Sequence, residues 1–139
     1  MLNQVLQQRI IETADEYHYI AEDQWAQAIE LAPETDEAAY EFRRLIRAAL
    51  QFYGRAFLAL DLTETDAEQE FEDIFDIIAE GHPELTEFFQ QNAVIETLDQ
   101  EADTNLSQVF SVAEAVRSYL LERSNRLAAT LGTRFASEA

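Results

Sequence analysis

The sequence predicts an all-α fold, an antiparallel up-and-down bundle of four to six helices. Three observations predict it. Apolar residues recur at steps of three and four along most of the chain, the spacing of one helix face. No segment alternates with the period of two and the β-branched content of a strand. Only 3 Gly and 2 Pro occur in 139 residues, too few for the many turns of an all-β protein. The length suits one domain spanning 1–139, with a frayed tail from about 133.

The elements follow in order. Leu2, Leu6, Ile10, Ala14, Tyr17, Ala21, Trp25 and Ala28 form one apolar stripe, which predicts a first helix from about Leu2 to Leu31. Glu22-Asp23 marks a place where it could break, and Pro33 ends it, because the residue before proline is pushed out of helical geometry. Thr35 or Asp36 caps a second helix running to about Leu60, with Phe42, Leu45, Ile46, Ala49, Tyr53, Ala56 and Phe57 on its inner face. Gly54 inside that helix costs up to about 1 kcal/mol against Ala, so a close approach of another helix is expected there. Thr65 and Glu68 read as a capping box opening a third helix, with Ala67, Phe71, Ile74, Phe75 and Ile78 facing the core. Gly81 reads as its left-handed cap and Pro83 as the first turn of a short helix to about Gln91. A further helical segment is expected from Ala93 to Glu101, then a loop from Ala102 to Asn105. The last helix runs from Ser107 to Leu131, ended by Gly132.

Charge is the strongest signal about surroundings. The chain holds 28 Asp plus Glu against 9 basic residues, all of them Arg, for a formal net charge of −19, yet it is 47% hydrophobic. That is an ordinary core inside an anionic shell. Such a shell repels nucleic-acid phosphates and anionic lipid, so direct nucleic-acid binding and membrane binding are disfavoured. The acids are spread along the chain, as in a surface adapted to high salt. No cysteine is present, which excludes disulfides, thiolate metal sites and thiol catalysis. No apolar run nears the roughly 18 residues of a membrane span, and Met1 to Ile11 lacks the pattern of a signal peptide, so a cytoplasmic location is expected.

Four kinds of side-chain cluster are candidates for chemistry: arginine, histidine, carboxylate and aromatic. Arg44, Arg47 and Arg55 fall on one side of the second helix, away from its apolar stripe, and could contact an anion or a partner. Pairing with nearby acids such as Glu41, or with acids of a neighbouring helix, is the plainer account of them. Arg117, Arg123 and Arg126 form a similar set on the last helix. Asp15 and His18 could face one metal, but the chain has no Glu-x-x-His pairs of a di-metal bundle, and His82 follows a turn where it could cap the next helix. Glu68, Glu70, Glu72, Asp73 and Asp76 are dense enough to attract cations, but lack the glycine turn of a calcium loop. Tyr17, His18, Tyr19 and Trp25 cluster on the first helix; Tyr17 and Trp25 fit the core stripe and Tyr19 does not. No catalytic motif and no cofactor signature occurs, so no catalytic, metal or cofactor residue is assigned.

From Tyr40 onward the order of elements resembles a HEPN-type helical domain. The likeness rests on FYGRAFLAL (Phe52 to Leu60), FEDIFDII (Phe71 to Ile78), HPEL (His82 to Leu85) and the final SVAEAVRSYLLERSNRLAATLG. HEPN ribonucleases carry Arg-x4-6-His near the start of the last helix; here that stretch reads EADTNLSQVF and holds neither residue. The resemblance therefore implies a non-catalytic binding relative and transfers no functional residue.

The expected function is a non-enzymatic binding or protein-interaction domain. Homodimerisation is one form of it, because Leu50, Leu58, Tyr19 and Ile20 lie off the main stripes. The alternatives are an acidic nucleic-acid mimic that occupies a basic DNA-binding protein, and a degenerate HEPN-like nucleotide- or RNA-binding unit whose Arg44, Arg47 and Arg55 line an open groove.

Overall fold

A computed structural model describes residues 2–31, 35–99 and 105–138, with side chains placed for 4–31, 35–99 and 105–132. Six helices and, among the described residues, no strand make an all-α bundle: α1 Leu2–Glu30, α2 Asp36–Leu60, α3 Phe71–Gly81, α4 Pro83–Gln91, α5 Val94–Thr97 and α6 Leu106–Glu138. α2 lies at the centre, packed on α1, α3 and α6.

The long helices form where the stripes predict. α1 is unbroken through Glu22-Asp23 and buries Ala14, Ala21, Trp25 and Ala28. Its end at Glu30 agrees with a stop near Pro33, although Pro33 itself lies outside the described residues. Thr35 caps α2, its hydroxyl accepting from the Ala38 N–H at 3.1 Å. Leu50 and Leu58, off the main stripe, are both buried, so their apolar surplus serves a helix covered on several sides. α1 runs antiparallel to α2 and α6: Glu22 meets Tyr53 and Arg117 at mid-length, and Gln7 lies beside Gly132. α4 runs against α6, with Glu84 at Arg123 and Phe88 stacked on Tyr119 at 4.5 Å.

The connection from α2 to α3 departs from expectation. α3 starts at Phe71, and its capping box is Glu70 with Asp73, not Thr65 with Glu68. Residues 61–70 instead double back along α2, so that α3 sets off beside Arg47 and runs in the same direction as α2. The reversal begins with Leu62 in the left-handed region at φ 62°. The Thr63 N–H bonds Leu58 O at 2.9 Å and the Leu62 N–H bonds Ala59 O at 3.1 Å, closing the helix end. Ala67, expected inside, is exposed.

Three other expectations change. Gly81 is helical without positive φ; His82 ends α3 at φ −138°, and Pro83 opens α4 at once. The segment after Ala93 is a single turn, Val94–Thr97, entered through a left-handed Ala93. α6 begins at Leu106, with the Asn105 side chain accepting from the Gln108 N–H at 2.8 Å, and continues through Gly132 to Glu138. One glycine in a helix costs only about 1 kcal/mol against Ala, too little to end one held by its neighbours. Most of the expected loop Ala102 to Asn105, and the end of the segment to Glu101, lie outside the described residues.

Gly54 fulfils the expectation of a close approach. A β-carbon there would stand 2.7 Å from Ile74 Cγ2 and 3.3 Å from Ile78 Cδ1, so α3 rests directly on the α2 backbone. The Ile74 methyl is held by a β-branched side chain with little freedom to yield. Gly54→Ala is therefore expected to destabilise the protein by about 1–3 kcal/mol, overpacking outweighing the better helix propensity, as a lower urea midpoint at unchanged slope would show.

Candidate functional site

The polar residues gather in three places, and each shows how the arginines are used. The first is the 61–70 reversal. Arg55 is 4% exposed and reaches across the loop. Its Nη1 donates to Thr65 Oγ1 at 3.2 Å and Asp66 O at 3.0 Å, and its Nη2 donates to Gln69 O. Gln51 Nε2 adds a second donor to Gln69 O at 2.9 Å. Within the loop, Asp66 Oδ1 accepts from the Glu68 N–H at 3.0 Å, and Gln69 Oε1 from the Asp66 N–H at 2.8 Å. Only a guanidinium offers several donors in a planar fork able to gather acceptors from three loop residues.

The second place joins the three long helices. Tyr53 Oη donates to Glu22 Oε1 at 2.7 Å. Arg117 donates from Nε to Tyr53 Oη at 2.8 Å, and from Nη2 to both Glu22 oxygens at 2.9 and 3.0 Å. Its guanidinium also lies over Trp25 and Tyr53, 5.1 and 5.3 Å from the ring centroids. Burial and the bond to Glu22 push the Tyr53 hydroxyl well above its ordinary range, outweighing the opposing pull of Arg117. Burial alone would lower Arg117, but the Tyr53 and Glu22 contacts outweigh it and hold the guanidinium charged. His18 sits 6.2 Å from the Tyr53 ring with its Nε2 buried and unpartnered among the described residues. Burial lowers its pKa from the ordinary 6.5, against the opposing charges of Asp15 and Glu22.

The third place is the junction of α3 and α4. His82 Nε2 lies 2.8 Å from Asp61 Oδ2, and its Nδ1 lies 3.6 Å from Glu84 Oε1. Although His82 occupies the capping position before Pro83, its ring makes no cap bond and ties the end of α2 to this junction. Arg123 reaches Glu84 at 3.5 Å and Tyr119 Oη at 2.8 Å. A cavity of about 140 Å³ opens between His82, Phe57, Arg123, Arg126, Leu127 and Thr130.

The three arginines expected to share a surface are divided. Arg44 is exposed and ion-paired with Glu41, three residues before it. Arg47 donates to Leu98 O at 2.9 Å, lies 4.4 Å over the Phe71 ring and approaches Glu72 at 3.7 Å. Both border a groove of about 650 Å³ with Gln51 and residues 67–71, but Arg55, held in the loop clamp, does not line it. Three of the five acids from Glu68 to Asp76 have roles within the fold: Glu70 and Asp73 form the α3 capping box, and Glu72 faces Arg47, while Glu68 and Asp76 are exposed. Among the described residues no group of three or more His, Asp and Glu side chains converges as a metal ion would require. Among the same residues no helix is long and apolar enough to cross a membrane.

Glu22, Tyr53 and Arg117 were not singled out from sequence as a group. The signals present were a tyrosine within a core stripe, whose hydroxyl needs a partner, and an acid and an arginine at the edges of neighbouring stripes. No family model, curated protein or solved structure matches the chain.

Two measurements check these sites. Arg55→Lys leaves some of the loop acceptors without a donor, so a loss of about 1–3 kcal/mol is expected, with faster proteolysis inside 61–70. The fold favours neutral His18, whereas the unfolded chain takes up its proton near 6.5. That stabilisation is complete above 6.5 and fades as pH falls through the lower folded value. Urea titrations between pH 7.5 and 5 should show a larger loss for the wild type than for His18→Phe.

Proposed function

We propose that this chain is a non-enzymatic, strongly acidic helical domain that binds a basic protein partner through the outer side of α1. What supports the reading is the direction of its charges. Among the arginines whose side chains are described, all except Arg9 are engaged with this chain's own acids, carbonyls or hydroxyls. The carboxylates in excess are left facing outward on a chain of net charge −19. An approaching molecule meets an almost uncompensated negative field, which speeds encounter with cationic surfaces and opposes anionic ones.

The outer side of α1 adds anchors to that field. Tyr19 is 78% exposed beside the exposed Ile20, and Asp15, Glu16 and Asp23 surround the pair in sequence and lie exposed. An aromatic and a branched aliphatic side chain among acids suit a partner that offers an apolar pocket rimmed by Lys or Arg. Self-association is the weaker form of the reading, because Leu50 and Leu58, which suggested extra apolar surface, are buried in the core. A nucleotide-binding role would rest on Arg44 and Arg47 alone, each already engaged.

Affinity capture at low salt, comparing the wild type with a Tyr19→Ser/Ile20→Ser variant, tests the surface. A basic partner retained by the wild type, released by added salt and bound at least about tenfold more weakly by the variant is the expected result. Equal retention by both proteins would remove α1 as the surface. Stability should also rise from low to molar salt as like-charge repulsion is screened, read as an increasing Tm; a flat profile would show that the acids are locally compensated.

A further inference from the structure

A second groove lies apart from that surface, between α1 and the end of α2. It encloses about 570 Å³, within the range of small-molecule sites. Leu6, Ile10 and Tyr17 form one wall, and Ala59 and Leu62 the other. Ala14 and Ala56 belong to the buried cluster beneath, and their small side chains leave room where larger ones would fill it. Along α1 the groove extends about 12 Å from Arg9 to Tyr17 at the helical rise per residue.

Arg9 is the polar feature that distinguishes it. Among the arginines whose side chains are described it is the one with no hydrogen bond or ion pair, and it lines an apolar trough while itself exposed. Thr13, Thr63 and Thr65 line the same groove. The Thr65 hydroxyl accepts from Arg55, so its own O–H remains to donate. Leu62, which walls the trough, holds a left-handed conformation that glycine would adopt without strain.

We propose that this groove binds a single-chain aliphatic carboxylate, its chain laid along Ile10 and Tyr17 and its head held by Arg9. The planar guanidinium can grip a carboxylate with two parallel bonds, and the threonine hydroxyls can add others. Glu64, also in the lining, opposes a second negative charge on the head and so favours a monoanion over a dianionic phosphate. The net charge of −19 repels an anionic bilayer as a whole. A small free amphiphile instead meets mainly the local field of Arg9, because screening cuts in within about 8 Å at physiological salt. The occupant is therefore the free amphiphile, not a lipid headgroup in a membrane. This inference does not depend on the outer side of α1 and can fail or hold independently of it.

Isothermal titration and thermal shift with decanoate below its micelle concentration test the site, with decanol, acetate and phosphatidylglycerol vesicles as comparison arms. Decanoate is expected to bind saturably and raise Tm, decanol to bind more weakly, and acetate and vesicles not to bind. Arg9→Gln, which removes no bond described within the fold, should weaken decanoate about tenfold and leave decanol unchanged. Ala59→Phe should block both ligands; Leu6→Asp, on the exposed rim, replaces it if that variant fails to fold. The proposal is overturned if decanoate does not bind, if Arg9→Gln binds it as the wild type does, or if vesicles bind and decanoate does not. Self-association abolished by Ala59→Phe without any decanoate binding would assign the groove to a second copy instead.

Discussion

A buried cation decides the path of this chain. Arg55 sits within the fold with its guanidinium spent on one hydroxyl and two carbonyls, and among the described residues it makes no ion pair. Burying a charge costs several kcal/mol unless its donors are satisfied, roughly the scale of a small domain's entire margin of stability. Arg55 therefore tolerates few arrangements of residues 65–69, and the observed one turns the chain back along α2. The direction of α3 follows from that reversal, and so does its seat on Gly54, where no side chain stands between the helices. Leu62 accepts an unfavourable φ because the turn must begin within two residues of the helix end.

The same economy of cations shapes the rest of the molecule. Arg117 joins α1, α2 and α6 through Glu22 and Tyr53, and Arg47 ties α2 to the turn after α5. These contacts cross between elements far apart in sequence, whereas Arg44 with Glu41 and Arg126 with Glu122 span only one helical turn. The first kind fixes how helices meet. The second, being exposed, is screened by solvent and fixes little.

The sequence made the long helices plain because burial on one face of a helix is periodic, and periodicity survives any choice of tertiary neighbour. The ends of α2, the short helix at Pro83 and the close approach at Gly54 were legible for the same local reasons. The start of α3 was not. Thr65 with Glu68 fits the usual Ser/Thr-x-x-Glu capping pattern, which Glu70 with Asp73 does not, and what draws Thr65 away from a helix start is Arg55, ten residues from it in sequence. Arg55 looked like a surface residue because it falls opposite the apolar stripe; a loop folded over that side buried it. Gly81 and Gly132 have the residue type of helix stops, yet α3 ends only after Gly81, without a positive φ, and α6 runs through Gly132, where Gln7 of α1 lies alongside. The site at Glu22, Tyr53 and Arg117 depends on the register of three helices, which no single stripe records.

Surface charge and internal structure are therefore one property of this chain. With no lysine and nine arginines, and with all but one of the arginines whose side chains are described bonded to this chain's own groups, few cations are left to neutralise the exterior. Replacing an inward arginine by a neutral residue both loosens a contact and leaves the surface one unit more negative. Adding lysines outside would relieve repulsion but would offer competing partners to Glu22 and Asp61, whose positions depend on Arg117 and His82. A strongly anionic shell is the arrangement in which each arginine keeps its assigned acceptor. The exception, Arg9, is then a cation without an internal duty, placed where an apolar trough meets solvent.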